Sequence, residues 1–178
     1  EKLGLVADNS IEANLVDGSV RIPSSDMDCI VHSAGNVHFE QSDWSNSKMM
    51  QAVVQTAKKI NVPIYYVSTA FLWRESGSAE RFRNAYETDK AESEKILQAS
   101  GIAHSIFRPS VLVGNSESGH LINWSGYYLL VAKFLEAVRV SGDSKIRFPR
   151  LAGTSNMVPV DQVAETISEV VISNTLHE

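Results

Sequence analysis

Three side chains in this 178-residue sequence have the types and spacing of a proton-delivery device. Tyr86 and Lys90 stand four residues apart in a stretch that reads as helix from about Asn84. Residues at i and i+4 share one helix face a turn apart, so a phenol and an ammonium project side by side. Just upstream the apolar β-run Ile64–Val67 stops at a hydroxyl pair, Ser68 and Thr69. A strand-end hydroxyl can therefore come to meet the phenol and the ammonium. A tyrosine four residues before a lysine is a weak signal alone and is more often a helix-surface pair. Its weight comes from what surrounds it.

The surrounding segments alternate between β and α character. Residues 29–32 form a short apolar run that ends at Ser33-Ala34-Gly35. That pattern predicts a strand buried on both faces of a parallel sheet. The small residues at its end let a flat ligand approach the backbone. Asp43 is expected to cap a helix over about 44–60, in which Met49, Met50, Val53, Val54, Ala57 and Ile60 recur at helical spacing. Pro63 blocks continuation and the Ile64–Val67 run follows, which makes a right-handed βαβ crossover. The helix holding Tyr86 is expected to run to about Ser100. Ala91, Ile96, Leu97 and Ala99 would face inward, Glu87, Glu92, Glu94 and Lys95 would face solvent, and Gly101 would close it.

Residues 104–114 read as a third parallel strand, with Arg108-Pro109 near its end. A helix-like region over 121–138, a turn at 141–143, a short strand at 146–148 and an extended piece at 158–160 follow. Asp161 is expected to cap a closing helix with Val163, Ala164, Ile167, Val170 and Val171 inward. Upstream, residues 11–22 alternate weakly with a turn at Asp17-Gly18, and 23–26 read as a loop. The fold class is α/β with a doubly wound parallel sheet. Open sheets of this kind bind ligands at the carboxyl ends of their strands. Three such ends are marked here, by Ser33-Ala34-Gly35, by Ser68-Thr69 and by Arg108-Pro109-Ser110.

Composition excludes several alternatives. A hydrophobic content of 43% and a charged content of 21% suit a globular domain. The net charge of −5 argues against nucleic acid or an acidic membrane as partner, since both want a basic face. The lone cysteine, Cys29, leaves no internal disulfide and fits a reducing, cytoplasmic setting. No run approaches the ~18–20 apolar residues of a membrane span, and the first ten residues lack the layout of a signal peptide. The sequon at Asn123-Trp124-Ser125 therefore reads as coincidental. The five histidines lack ligand spacing, so no metal site is expected. His32 reads as a core histidine, Asp161 as a cap, and Tyr127-Tyr128 as packing residues.

Several of these pieces together resemble the extended branch of the short-chain dehydrogenase/reductases. The carriers are His32-Ser33-Ala34-Gly35, Tyr66-Val67-Ser68-Thr69-Ala70, Arg83-Asn84-Ala85-Tyr86-Glu87 with Lys90 and Glu94, Arg108-Pro109-Ser110-Val111 with Gly114, Ser125-Gly126-Tyr127-Tyr128, and Val158-Pro159-Val160-Asp161. Within that branch the chain is most similar to thioester reductases with a male-sterility-type NAD(P)-binding domain. These include fatty acyl-CoA reductases and the terminal reductase domains of carboxylic acid reductases and of peptide or polyketide synthases.

The resemblance implies a Rossmann-like domain over 1–178, with 115–178 contributing to a small substrate lobe. It also implies an NADPH-dependent reductase of an acyl thioester, held on coenzyme A or an acyl carrier protein, giving aldehyde or alcohol. In such an enzyme Tyr86 is the general acid. Lys90 lowers the phenol's pKa and bonds the nicotinamide ribose, and Thr69 orients the substrate oxygen. Ser33, Ala34 and Gly35 lie along the cofactor, and Pro109, Ser110 and Val111 flank the nicotinamide. Tyr127 and Tyr128 would then stand near the substrate mouth.

The sequence departs from that pattern in three places. The G-x-x-G-x-x-G phosphate turn and the first βαβ unit around it are absent, so the expectation is a fragment or a chain numbered across gaps. The specificity for NADP over NAD would be set in that missing part. Only 17 positions separate Thr69 from Tyr86, a short link for this family, and that from Gly35 to the 44–60 helix is also compressed. The chain also stops at Glu178, where relatives continue into the substrate lobe. Two rival readings stand beside the thioester reductase: another extended-branch activity, such as a nucleotide-sugar epimerase/dehydratase or a ketoreductase, and a non-catalytic NAD(P)-binding scaffold.

Overall fold

A computed structural model describes residues 14–17, 27–37, 43–73, 82–121, 126–142 and 153–174. The expected strand at 146–148, the loop at 23–26, most of 11–22, and Ser125 lie outside the described residues. Three short strands, β1 (Ile30–His32), β2 (Ile64–Val67) and β3 (His104–Phe107), form one parallel sheet in the order β1-β2-β3. Ile30 pairs with Ile64, and Ile64 with His104, so all three strands finish at one edge. The links are α1 (Ser45–Ile60) and α2 (Ala85–Gln98). Parallel neighbours need such crossovers, because a tight hairpin would reverse the chain.

Side chains alternate across β2, which decides what each face buries. Ile64 and Tyr66 join Met50, Val53, Val54 and Ala57 of α1 and Leu97 of α2 in the core. Tyr65, on the opposite face, is equally buried, and its hydroxyl donates to Asn174 Oδ1 (3.2 Å). Asn174 follows α4 (Val160–Ile172), so helices approach the sheet from both sides. β1 departs from expectation. Val31 is half exposed, because β1 is the edge of the described sheet.

The residues 104–114 form two strands. β3 ends at Phe107, and β4 (Val111–Val113) pairs in parallel with β5 (Met157–Pro159) in a separate two-stranded sheet. Pro109 cannot donate to a ladder. Its carbonyl instead accepts from Ala70 N–H (2.9 Å), which pins the break beside the end of β2. The helix α3 (Tyr127–Ser141) begins after Gly126 rather than near 121.

Two helix caps and two carboxylates differ from the sequence reading. Asp43 does accept from Ser45 N–H (3.0 Å), but the N-cap position belongs to Trp44, in the left-handed region with φ 56°. Asp161 does not cap α4. Its carboxylate accepts from the backbone and hydroxyl of Ser116, tying the turn after β4 to the helix. Val163, Ile167, Val170 and Val171 are half-buried as expected, whereas Ala164 is exposed. Glu87 and Glu94 are buried, not solvated. Each has a partner that justifies it. Glu87 accepts from Arg83 N–H (3.0 Å) and pairs with its guanidinium, while Asn84 Oδ1 caps Glu87 N–H (2.8 Å). Glu94 holds Arg108 through two bonds, 2.9 and 2.6 Å. Only α2's Ala91 and Leu97 among its expected inward residues are fully buried.

Leu97 is fully enclosed by this core. Leu97→Ala should therefore lower unfolding free energy by about 3 kcal/mol, the usual cost of truncating leucine to alanine in a close-packed interior. Chemical denaturation of the two proteins measures it; a loss below about 1 kcal/mol would mean the site collapses around the smaller side chain.

Candidate active site

The shared edge of the sheet opens into a cavity of about 440 Å³. Its floor is the end of β2, Val67, Ser68 and Thr69. Thr69 leaves the strand extended, and its side chain caps a short 3₁₀ turn (Ala70–Leu72) by accepting from Phe71 N–H (3.3 Å). The same side chain is hydrogen-bonded to the Tyr86 phenol. Tyr86 is there because α2 starts at Asn84, which places it in the first turn. One turn on, Lys90 Nζ donates to Val67 O (2.9 Å) and stands 4.5 Å from the centroid of the Tyr66 ring. Thr69, Tyr86 and Lys90 thus line one cavity.

Burial dominates the electrostatics. Lys90 is only 4% exposed, and desolvation brings its ammonium down to about 8 against support from Glu94 and Asp89. His32 stacks on Tyr66 with centroids 5.3 Å apart and is driven down to about 4, by burial first and by Lys90 second. It is a neutral core histidine. The Tyr86 phenol is raised, by burial first, with Thr69 opposing and Glu87 assisting. This corrects the expectation that Lys90 lowers it. The ammonium is turned to the Val67 carbonyl and the Tyr66 ring, so burial of the phenol prevails. Tyr86 therefore holds its proton at neutral pH. The Tyr66 phenol is raised as well, by burial, and bonds Ser93.

Of the other residues singled out in the sequence, Ser33, Gly35, Pro109, Ser110 and Val111 line the same cavity. Ala34 does not. It lines a neighbouring apolar cavity of about 320 Å³ with Ile30, His32 and Val53. Val37, Phe71, Leu112 and Tyr127 add an apolar wall. Tyr127, on the first turn of α3, takes the lining role, whereas the Tyr128 hydroxyl accepts from Gly114 N–H (2.9 Å). Ser68 was marked only as a strand end, yet its hydroxyl is buried at the cavity without a partner among the described residues. Asn46 and Asp89 carried no signal in sequence, because their partners lie far along the chain. Among the described residues no His, Cys, Asp or Glu cluster could hold a metal ion, and no helix is long and apolar enough to cross a membrane.

A family model described as male sterility protein, an NAD-binding family, matches residues 14–167. No curated protein sequence matches. Similar solved structures include the terminal R domain of the myxalamid PKS-NRPS pathway, at 22% identity and a TM-score of 0.64 over 82% of this chain and 40% of that one. Another is a thiolation-reductase di-domain from an archaeal non-ribosomal peptide synthetase (19% identity, TM-score 0.65, covering 88% and 48%). A third is the Bordetella bronchiseptica enzyme WbmH in complex with NAD+ (22%, 0.65, 91% and 56%). The fold is the Rossmann-like one these structures share, and the chain spans roughly half of their length.

The neutral state of His32 makes a pH prediction. Its folded pKa lies near 4 and its ordinary value is 6.5, so between those values the unfolded chain binds more protons. Stability from this group must then rise with pH across that window and fall as pH drops toward 4. Denaturant titrations at pH 4.5, 5.5 and 6.5 should show a steeper rise for the wild type than for His32→Phe, by on the order of 2 kcal/mol. Parallel profiles would mean that His32 charges freely in the folded protein.

Proposed function

The chain belongs to the NAD-binding male sterility protein family, and from that premise we propose that it is part of an NADPH-dependent reductase of an acyl thioester. The acyl group would be carried on coenzyme A or on a carrier protein and released as aldehyde or alcohol. The single observation that carries this reading is the Tyr86–Thr69 hydrogen bond in a cavity shared with Lys90. A terminal R domain of a PKS-NRPS pathway and a thiolation-reductase di-domain among the similar folds support the thioester as substrate class.

The residues present suit the nicotinamide end of such a cofactor. A Cβ on Gly35 would stand 3.3 Å from Asn46 Oδ1 and 3.8 Å from Lys90 Nζ, so glycine keeps that approach open. Ser68 adds a hydroxyl with no partner among the described residues. Ser33, Gly35, Lys90, Pro109, Ser110 and Val111 are the residues assigned to hold the cofactor; Ala34, one cavity over, would touch it only through the backbone. A bound nicotinamide supplies a hydride to the carbonyl carbon.

The chain's own part is the oxygen. Thr69 hydroxyl holds it, and Tyr86 O–H gives it a proton as negative charge develops. The tetrahedral carbon then collapses to the aldehyde as its hydroxyl proton passes to the departing sulfur, which leaves as a thiol. Lys90, fixed by the Val67 carbonyl, compensates the phenolate left on Tyr86. The apolar wall of Val37, Phe71, Leu112 and Tyr127 suits an aliphatic acyl group.

Tyr86→Phe should cut thioester turnover at least ~100-fold, the scale of a lost general acid, and leave NADPH affinity within about twofold. Turnover should also decline as pH rises through about 8, where Lys90 loses its charge. Cofactor absorbance, followed with an acyl thioester and separately with a nucleotide sugar, is the measurement. Unaltered turnover in the phenylalanine variant would remove Tyr86 from the mechanism, and turnover of the sugar alone would reject the thioester.

A further inference from the structure

Helix α1 is capped by another helix. Trp44, at its N-cap position, offers no side-chain oxygen. The free amides of Asn46 and Ser47 instead donate to the two carboxylate oxygens of Asp89, at 2.9 and 3.0 Å, more than forty residues away in sequence. Asp89 is 3% exposed. An anion there meets both unpaired N–H groups and the positive end of the helix dipole. It also fixes α1 to α2 one residue from Lys90.

The linkage continues from α1 into the cavity. Asn46 grips Asn36 twice, Oδ1 accepting from Asn36 N–H (2.8 Å) and Nδ2 donating to Asn36 O (3.0 Å). Asn36 follows Gly35, which faces Lys90 Nζ. Two routes from Asp89 therefore meet across the cavity. One passes along the main chain to Lys90. The other passes through the first turn of α1 and Asn46 to the loop 33–36.

We propose that Asp89 is a positioning residue for cofactor binding, setting the gap between Lys90 and the loop 33–36 by clamping the start of α1 to α2. This rests on reading the cavity as a nicotinamide site. Mere stability is a separate matter, since any buried side chain supplies that. The clamp predicts a local effect on the loop and a loss of affinity that a matched core defect does not produce.

The test compares Asp89→Ala, the milder Asp89→Asn and a control in the α1 core, Val54→Ala, in the full-length protein under folding conditions. Two readouts are taken: amide exchange at Asn36 without ligand, and the Kd for NADPH. Asp89→Ala should speed Asn36 exchange and weaken NADPH roughly tenfold or more. Asp89→Asn, keeping one acceptor oxygen, should fall between it and wild type. Val54→Ala should lower Tm and leave both readouts near wild type. Equal changes in Asp89→Ala and Val54→Ala, or none in either, would overturn the proposal. Wild-type protein that binds no NADPH would reject the cofactor role of Asp89 and the reading of the cavity together, while Asn36 exchange would still decide the clamp.

Discussion

The Lys90 ammonium sits where burial opposes its charge, and three kinds of partner keep it there. The Val67 carbonyl accepts a hydrogen bond from it at 2.9 Å, the centroid of the Tyr66 ring lies 4.5 Å away, and Asp89 and Glu94 supply negative charge. A buried charge tolerates no loss of partners. That one side chain therefore demands a strand ending at Val67, a ring one residue back, and a helix whose phase presents Lys90 to both. Asn84 sets that phase by starting α2 where it does. The same start delivers Tyr86 to Thr69. Strand end, helix start and cavity are in this sense a single constraint.

Helix α2 meets the constraint with carboxylates. Glu87 closes its own first turn, Asp89 caps α1, and Glu94 holds Arg108 beyond β3. All three are buried, and each reaches a different neighbour. The Glu94–Arg108 fork is the tie between α2 and the segment where the sheet breaks. Replacing Arg108 would leave the buried Glu94 carboxylate unpaired, whereas the half-exposed guanidinium could fall back on solvent.

These carboxylates also explain what could be read from sequence. Hydrophobic periodicity locates apolar positions, so β2, α1, the core leucine Leu97 and the Tyr86–Lys90 face were legible. The close of α2 was legible too, since Gly101 takes the left-handed conformation that glycine favours (φ 74°). Periodicity assigns a glutamate to solvent by default. It cannot see that Arg108 waits fourteen residues on, or that α1's open amides await Asp89. The split between β3 and β4 was half visible, in Pro109. Its new partner, β5, lies beyond any local signal. The apolar wall of the cavity was only partly visible, in Tyr127, because Val37, Phe71 and Leu112 share a location and no sequence pattern.

Burial acts on the phenol and the ammonium in opposite directions. It raises Tyr86 and lowers Lys90, and both shifts disfavour the charged form. In water a phenol is a weak acid and an ammonium is almost always charged. In this cavity the two values move apart, the ammonium falling to about 8 while the phenol rises, so Tyr86 keeps its proton at a pH where Lys90 is still charged. A charge in this cavity interacts more strongly with its neighbours than it would in water. The hydrogen bond from Thr69 then favours the phenolate further. Folding has already borne the cost of desolvating Lys90. Burial of Lys90 is consequently a cost that its partners must offset. With a carbonyl, a ring and two carboxylates around it, the ammonium is held where the loss of any one of them leaves a desolvated charge less supported.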